Sequence, residues 1–486
     1  MQGSGAPRDE TVEARESIGK AARARRSRGS LAEYTPREGR PSPIHTLAIQ
    51  ETDRVSGLLP LRHERMGANP FAFLRGAAAV MAGDLGSMPN TGLTVQLCGD
   101  AHLSNFGLFA GPDRALVFDL NDFDETHPGP FEWDVMRLSS SLVVAAQVAG
   151  RPVKFAENLP MVCARAYRKS MAMFAGMTDL DVWYYRIDTN MLERWAQELG
   201  SRAGVKALHR TANAAAKKDR WSAVRSLTEI VNGHRAFKHE PPLLVSLSGD
   251  ARAHLTVSEM YQEYRASLLV DRSHLLGRYH WIDAGHKVVG VGSVGLLAFV
   301  LLLEGRDSED VFVLQLKEAV ASVLEPYTEP SVYATHGERV VAGQRIMQAS
   351  TDAFLGYVQG PRGRSYYGRQ LRDMKWAPDP LRMNQKQYLA YAELCGLALA
   401  RAHARSGDSV AINAYLGTSE QFERSMQAFG RAYARQTQSD FEEYQEAIAA
   451  GTVGTLSGPQ DDLRISLKSA DDGSTQVEAK FVTADT

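Results

Sequence analysis

At 486 residues the chain is longer than one ordinary domain, and 44% hydrophobic against 23% charged residues is ample material for a core. A formal net charge of −2 gives no overall attraction to nucleic acid or to an anionic membrane. Cys98, Cys163 and Cys395 are too few and too scattered for a disulfide framework or a four-ligand zinc site, and fit a reducing cytoplasm.

Residues 1–45 are polar, with the strongly basic stretch GKAARARRSRGS (Gly19–Ser30), and their composition predicts a disordered arm. No apolar segment follows these charges as a secretory signal would require. NPFAFLRGAAAVMAGDLG then has helical apolar spacing, with Asn69 as N-cap and Pro70 in the first turn. TGLTVQLCGD alternates as a strand, and RALVFDLND reads as a second strand after the turn GPDR. Around these lie CGDAHLSNFG (Cys98–Gly107) and VFDLNDFDE (Val117–Glu125), the latter with four carboxylates in seven residues.

Helical periodicity follows over EWDVMRLSSSLVVAAQVAG and ENLPMVCARAYRKSMAMFAG, and a mostly helical region extends to about 275. Near Lys287 the pattern changes: a Gly-rich turn, the strand-like LLAFVLLLEG, and a second strand in EDVFVLQLKEAVAS. The apolar run Val288–Leu303 is short and interrupted by glycine, so it predicts no membrane span. HGERVVAGQRIMQASTDAFLGYV (336–358) predicts a helix, SYYGRQLRDMK (365–375) a strand, and QKQYLAYAELCGLALARAHARSG a long helix stopped by Gly407. From about Ser457 the chain is polar and Asp-rich.

Gly290, Gly292 and Gly295 form GxGxxG, with Ser293 among them. A dinucleotide-binding reading needs a helix after the glycines, whereas LLAFVLLLEG reads as a strand. The alternative places the glycines in a hairpin over phosphates, ahead of a strand whose lysine holds those phosphates. Lys317 in VFVLQLKEA fits, because a lysine among apolar residues needs a fixed anionic partner unless it snorkels from the strand end. Glu338 is the expected partner and Glu325 the fallback.

Asp100 and Asn105 have the spacing of a base that accepts a hydroxyl proton and a metal-binding Asn five residues on. Mg²⁺ takes oxygen ligands from one or two carboxylates plus phosphate and water. Asp122 leads for that role by its DF pair and its spacing to Asp134; Asp119 follows by its distance from Asn105, and Asp124 is third. A merely solvated acidic turn would not alternate with apolar residues that bury part of its charge. Cys98 and His102 lack further ligands at zinc spacing, and Ser293 in GVGSVG lacks the glycine of a nucleophile elbow because Val291 stands there. Arg62, His63 and Arg65 in RHERMG, and Arg345 in GQRIMQ, read as surface or helix-end cations.

GDAHLSNFG resembles the HGDLHPGN catalytic loop of aminoglycoside and choline phosphotransferases, with Cys98 and Ala101 departing from that pattern. VFDLNDFDE…PFEWDVMRL looks like their IDW…GDPxxDLA continuation, with Asp134 in place of the last Asp. The wider set of segments, from RHERM and NPFAFLRGAA to LQLKEA, GERVVAGQR and ARAHARSGD, resembles a large bacterial family known as a domain of unknown function, over about 45 to 450. The resemblance implies an α+β, protein-kinase-like fold of two lobes that uses ATP and Mg. Its parts stand in rotated order. The catalytic loop comes first, near 100, and the glycine loop and Lys317 follow, so a circular permutation is expected, with Lys317 within one ATP length of Asp100 (~15 Å by chain reach).

The implied layout is a disordered arm (1–45), a helix-rich catalytic lobe (46–285), a nucleotide-binding lobe (286–380), C-terminal helices returning to the catalytic lobe (381–456) and a polar tail (457–486). The implied activity is ATP- and Mg-dependent phosphoryl transfer to an unknown hydroxyl acceptor, a small molecule or a protein, in a pocket built by the helices between 135 and 280. Asp100 is the base; Asn105, Asp122 and Asp119 are the metal ligands; Gly290, Gly292, Ser293, Gly295, Lys317 and Glu338 hold the nucleotide. Adenylyl transfer and a nucleotide-binding regulatory pseudo-enzyme are the alternatives. A cytoplasmic protein with no membrane or nucleic-acid partner is expected.

Overall fold

Thr11 opens the first helix, α1 (Val12–Arg25), its hydroxyl accepting from the Ala14 N–H at 3.2 Å. The computed structural model describes residues 10–198, 210–213, 215, 220–371, 375–454, 463–469 and 475–481. From residue 10 onward the arm expected to be disordered is an ordered part of the fold. Arg15 pairs with Asp408 at 2.8 Å, and Arg23 and Arg28 donate to the carbonyls of Tyr415 and Leu416 at a helix C-terminus. Arg40 lies between Asp84 and Asp440 and donates to both at 2.7–2.8 Å. Composition counts these cations as solvated charge; tertiary structure supplies the anions and orphan carbonyls that hold them.

Four short helices follow: α2 (Pro43–Glu51), α3 (Leu59–Met66), α4 (Pro70–Gly76) and α5 (Ala78–Gly86). Asn69 caps α4 as its sequence predicts, accepting from Ala72 N–H at 2.9 Å. The helix expected to continue through 86 is broken at Ala77, whose φ of −113° and ψ of 41° separate α4 from α5. Strands β1 (Thr94–Leu97), β2 (Phe106–Ala110), β3 (Leu116–Leu120) and β4 (His127–Pro130) make two small antiparallel pairs, β1 with β4 and β2 with β3. Leu97 lies opposite His127, and Phe106 opposite Leu120. The loop 98–105 and the acidic loop 121–126 therefore leave paired strands side by side.

Helices α6 (Glu132–Val148), α7 (Val153–Ala175), α8 (Asp179–Tyr184), α9 (Thr189–Glu198) and α10 (Arg220–Leu227) precede a hairpin of β5 (Thr228–Val231) and β6 (His234–Phe237). Next come β7 (Leu244–Ser246), α11 (Ala251–Ser267), α12 (Val270–Leu276), β8 (His280–Lys287), β9 (Ala298–Glu304), β10 (Val311–Ala319), α13 (His336–Met347), β11 (Gly356–Gln359) and β12 (Ser365–Gln370). Six of these strands form one antiparallel sheet in the order β11-β12-β10-β9-β8-β7. The sheet thus starts at Leu244, inside the stretch expected to be helical and ahead of the boundary expected at 286. A bulge between Trp281 and Asp283 breaks the period-two pattern of β8 and hides it from the sequence. The helix expected to run to Val358 ends at Met347, where Gln348 turns extended, and Gly356–Gln359 pairs with β12 instead. Residues 372–374 of the expected strand 365–375 lie outside the described residues.

A capping box between Asn384 and Gln387 starts the long helix α14 (Gln385–Ser406), which is followed by α15 (Ser409–Leu416) and α16 (Gln421–Ala449). One core joins α5, the strands β1–β3, α6, α7, α14 and α16; a second lies between the large sheet and α11, around Tyr264, Leu314 and Leu316. The end of α14 returns to β1, where Ser406 Oγ accepts from Gln96 N–H at 3.1 Å. Of the polar tail, β13 (Leu463–Ser469) and β14 (Thr475–Phe481) pair antiparallel, and the remainder from 455 lies outside the described residues. No helix among the described residues is long and apolar enough to cross a membrane.

The Arg40 bridge gives a test of the ordered arm. Arg40→Met leaves Asp84 and Asp440, both 4% exposed, without their cation, and is expected to cost about 3–5 kcal/mol in urea unfolding. A loss below about 0.5 kcal/mol, the scale of an ordinary surface substitution, would mean that the segment does not fasten the fold.

Candidate functional site

Asp134, in the first turn of α6, shapes the loop after β1. It accepts from Cys98 N–H at 2.8 Å and Gly99 N–H at 3.1 Å, with His403 Nε2 at 3.3 Å. Gly99 has φ of +81°, and a Cβ there would stand 2.2 Å from the Glu125 carbonyl, so no other residue fits. Asn105 Nδ2 donates to the Asp100 carbonyl at 2.8 Å, and the Asn105 carbonyl accepts from Asn121 N–H at 2.8 Å. The two loops are stitched together through Asn105, and its Oδ1 remains for the space between them.

Asp100 is oriented by Arg137, whose Nε and Nη2 both donate to Oδ1 at 2.9 and 2.7 Å. Its Oδ2 lies 3.6 Å from His102 Nε2. Burial pushes the His102 imidazole down to about 3, so it is neutral at physiological pH. Because Ser104 N–H donates to Nδ1 at 3.2 Å, the His102 proton sits on Nε2, facing Asp100.

Two cavities meet at the acidic loop. The first, about 240 Å³, is walled by Asp100, Asn105, Asp122, Asp124 and the loop Gly290–Ser293. The second, about 320 Å³, is lined by Lys317, Arg369 and Lys375 and by the apolar Phe109, Val289 and Leu371, among others. Asp122, Gly290 and Ser293 belong to both. Burial alone would raise the pKa of the Asp122 carboxyl, but Lys317, Arg369 and Lys375 pull it below the usual range and keep it ionised. Asp122 Oδ1 accepts from Asp124 N–H at 3.3 Å.

Lys317 is 3% exposed and is paired with Asp124. Burial would lower the pKa of its ammonium, but Asp124, then Tyr367 and Asp122, outweigh it and raise the pKa above the ordinary value. Tyr367, directly across from Lys317 on β12, donates to Asp124 Oδ1 at 2.7 Å, and Ser293 Oγ donates to Oδ2 at 3.3 Å. Glu338 is therefore not the partner of Lys317. It sits third in α13, where its carboxylate accepts from Ala334 N–H at 3.1 Å while Thr335 accepts its own N–H, also at 3.1 Å. Glu325 accepts from Ser331 N–H at 3.2 Å and does not meet Lys317 either. The neighbouring Arg339 braces the acidic loop, donating to the carbonyls of Thr126, Asp124 and Val320.

Asp119 is likewise no cavity residue. It is 2% exposed, paired with Arg401, and it accepts from Ala349 N–H at 3.3 Å. Its pairing position opposite Gly107 keeps it inside the β2–β3 hairpin, whereas Asp122 lies past the hairpin's end. Asn105 and Asp122 remain as donors that line one cavity. One amide oxygen and one carboxylate suit Mg²⁺, which takes its other ligands from phosphate and water. Among the described residues no cluster of three or more His, Cys, Asp or Glu side chains could hold a metal on its own.

Three arginines and one backbone amide hold the glycine loop. Arg65 donates to the Gly290 carbonyl at 2.7 Å, Arg62 to Gly292 at 3.0 Å, Arg54 to Val294 at 2.5 Å, and Val55 N–H to Gly295 at 2.9 Å. Gly295 itself lies under Arg54 and lines neither cavity. Arg62, read from sequence as a surface cation, is fully buried. Its spacing could have revealed this, since Leu58 and Met66, four residues to either side, are apolar and mark an inward face. His63 and Arg62 share Glu51 at 2.9 and 3.2 Å. The cavity beside Asp100 is walled by residues from 50–78, 98–125, 290–296 and 318–323, so the helices between 135 and 280 do not build it.

The chain is thus an α+β protein whose two cavities share an acidic loop. The family model described as "Uncharacterized protein conserved in bacteria (DUF2252)" matches residues 54–447, and the chain belongs to that family. No curated protein and no solved structure matches it.

Glu125, in the wall of the first cavity, supplies a pH test. Burial pushes its carboxyl up to about 7, against the Val323 N–H that it accepts at 2.8 Å. The folded chain therefore holds a proton that the unfolded chain releases, and stability falls as pH rises from about 4.5 to about 7. Glu125→Gln is expected to raise stability by about 1–3 kcal/mol at pH 8 and to change little near pH 4.5. Urea unfolding across that range, without added divalent cations, reads it; equal stability of the two proteins at pH 8 would contradict the assignment.

Proposed function

We propose that this chain is an ATP- and Mg²⁺-dependent phosphotransferase with a circularly permuted, protein-kinase-like fold. The observation that carries this reading is the Lys317–Asp124 ion pair. It joins residues 193 apart in sequence and brings the lysine strand to the acidic loop that shares a cavity with Asp100. The order of parts supports it too. From β8 the chain runs through the glycine loop, β9, β10 with Lys317, α13, β11 and β12, and these five strands pair in the order β8-β9-β10-β12-β11. α14 then ends against β1, which leads into the loop of Asp100. Joined there, the segments follow the order of kinase-like phosphotransferases.

In this reading the second cavity takes the nucleotide. Phe109, Val289 and Leu371 offer apolar surface for a base, and Lys317, Arg369 and Lys375 offer cations for phosphates. Asp122 and Asn105 would hold Mg²⁺, which neutralises phosphate charge when bound. Arg137 fixes one oxygen of Asp100, leaving Oδ2 to take the proton of the acceptor hydroxyl as the new O–P bond forms. The neutral imidazole of His102 donates no competing charge there.

The products of labelled ATP with Mg²⁺ test the assignment. Release of ADP is expected, and Asp100→Ala should lower it by about 10²–10⁴-fold with little effect on nucleotide affinity. Pyrophosphate instead of ADP would make the protein an adenylyl transferase, and binding without turnover a regulatory module. ATP binding unchanged in both Lys317→Ala and Asp122→Asn would remove all three readings.

A further inference from the structure

Two arginines line the cavity that contains Asp100. Arg54 spends a donor on the Val294 carbonyl, but among the described residues Arg75 has no hydrogen-bond acceptor and no ion-pair partner. Arg75 closes α4 with its guanidinium 5.8 Å from the centre of its own helix's Phe71 ring, and its Nε is buried without a partner. The charges that act on it are those of Asp100 and Asp122, the base and the metal ligand of the reading above. Arg75 thus stands within the field of both carboxylates yet bonded to neither. Its backbone is fixed: the Arg75 carbonyl lies 3.2 Å from where a Gly292 Cβ would be, so the helix end and the glycine loop are in contact.

Arg75 is partly buried, and its Nε is cut off from water without an acceptor, which is costly; an anion bound against the guanidinium offsets that cost. The planar fork of arginine matches the oxygens of a phosphoryl group. We propose that Arg75 is a further catalytic residue, donating to the non-bridging oxygens of the phosphoryl group as it passes from nucleotide to acceptor. The inference rests on the phosphotransfer reading. In the step itself the bond from the γ-phosphorus to the β,γ-bridging oxygen breaks, ADP leaves with that electron pair, the acceptor oxygen bonds to phosphorus, and the acceptor proton passes to Asp100. Arg75 keeps its protons and meets charge that spreads over the equatorial oxygens. It belongs to α4, outside the segments that carry the base, the metal ligands and the lysine.

The test compares wild type, Arg75→Ala and Arg75→Lys in ADP release from Mg·ATP, and in affinity for Mg·ADP with and without aluminium fluoride, a mimic of the transferring group. Arg75→Ala is expected to bind Mg·ADP within about twofold of wild type, to lose about 10²-fold or more in kcat, and to lose the tightening that aluminium fluoride gives. Arg75→Lys should recover part of both losses. Turnover and fluoride tightening within about threefold of wild type in Arg75→Ala would overturn the assignment. So would an equal loss of Mg·ADP affinity, which marks a structural or nucleotide-positioning role. Wild type that neither releases ADP nor tightens on Mg·ADP with aluminium fluoride would remove the phosphotransfer reading itself, and Arg75's role with it.

Discussion

The buried pair of Lys317 and Asp124 is the constraint around which the site is arranged. An ammonium with almost no exposure is tolerable only with an anion fixed beside it, and here that anion comes from a loop far away in sequence. Asp124 also accepts from Tyr367 and Ser293, and its backbone carbonyl is held by Arg339. One residue therefore ties the large sheet, the glycine loop and the helix α13 to the acidic loop. Asp122, two residues earlier, is kept ionised by Lys317, Arg369 and Lys375 and lines both cavities. Any anion that reaches Lys317 must share it with Asp124.

The second constraint is the set of arginines that grips the glycine loop. Loops rich in glycine lose much conformational entropy when ordered, and each carbonyl left facing inward would repel a phosphate. Arg54, Arg62 and Arg65 engage three of the loop's carbonyls and bring positive charge with them. The loop is thereby set in place before any ligand arrives, and the cost of ordering it falls on folding rather than on binding.

How much of this was legible in the sequence depended on whether a feature is local. Asp100 and Asn105 are recognisable by their fixed spacing, and Lys317 because a lysine in an apolar strand needs an explanation. The mixed α+β character, the long helix α14 and the cap at Asn69 were equally readable, each resting on a short-range pattern. Partners were not. Glu338 stands where a helix residue should meet Lys317, but the first turn of α13 uses it as a cap, and the pairing falls to Asp124. Asp119 and Asp122 are equivalent in composition; only the register of β2 with β3 decides that one is enclosed and the other presented. The basic arm failed for the same reason, because Asp408, which holds Arg15, and Asp440, one of the two carboxylates that hold Arg40, lie some four hundred residues away.

The packing of α14 against β1 has a consequence for how the protein comes into being. Asp119 is buried against Arg401, and Asp134, which shapes the loop of Asp100, is in contact with His403. Both partners emerge from the ribosome only after the whole six-stranded sheet has been made. A growing chain already contains the loops of Asp100 and Asp122 long before Arg401 and His403 are available beneath them, and a buried carboxylate such as Asp119 without its cation opposes closure of that core. The cavity beside Asp100 is accordingly among the last features to take shape, so translation itself withholds the finished site until the final third of the chain is present.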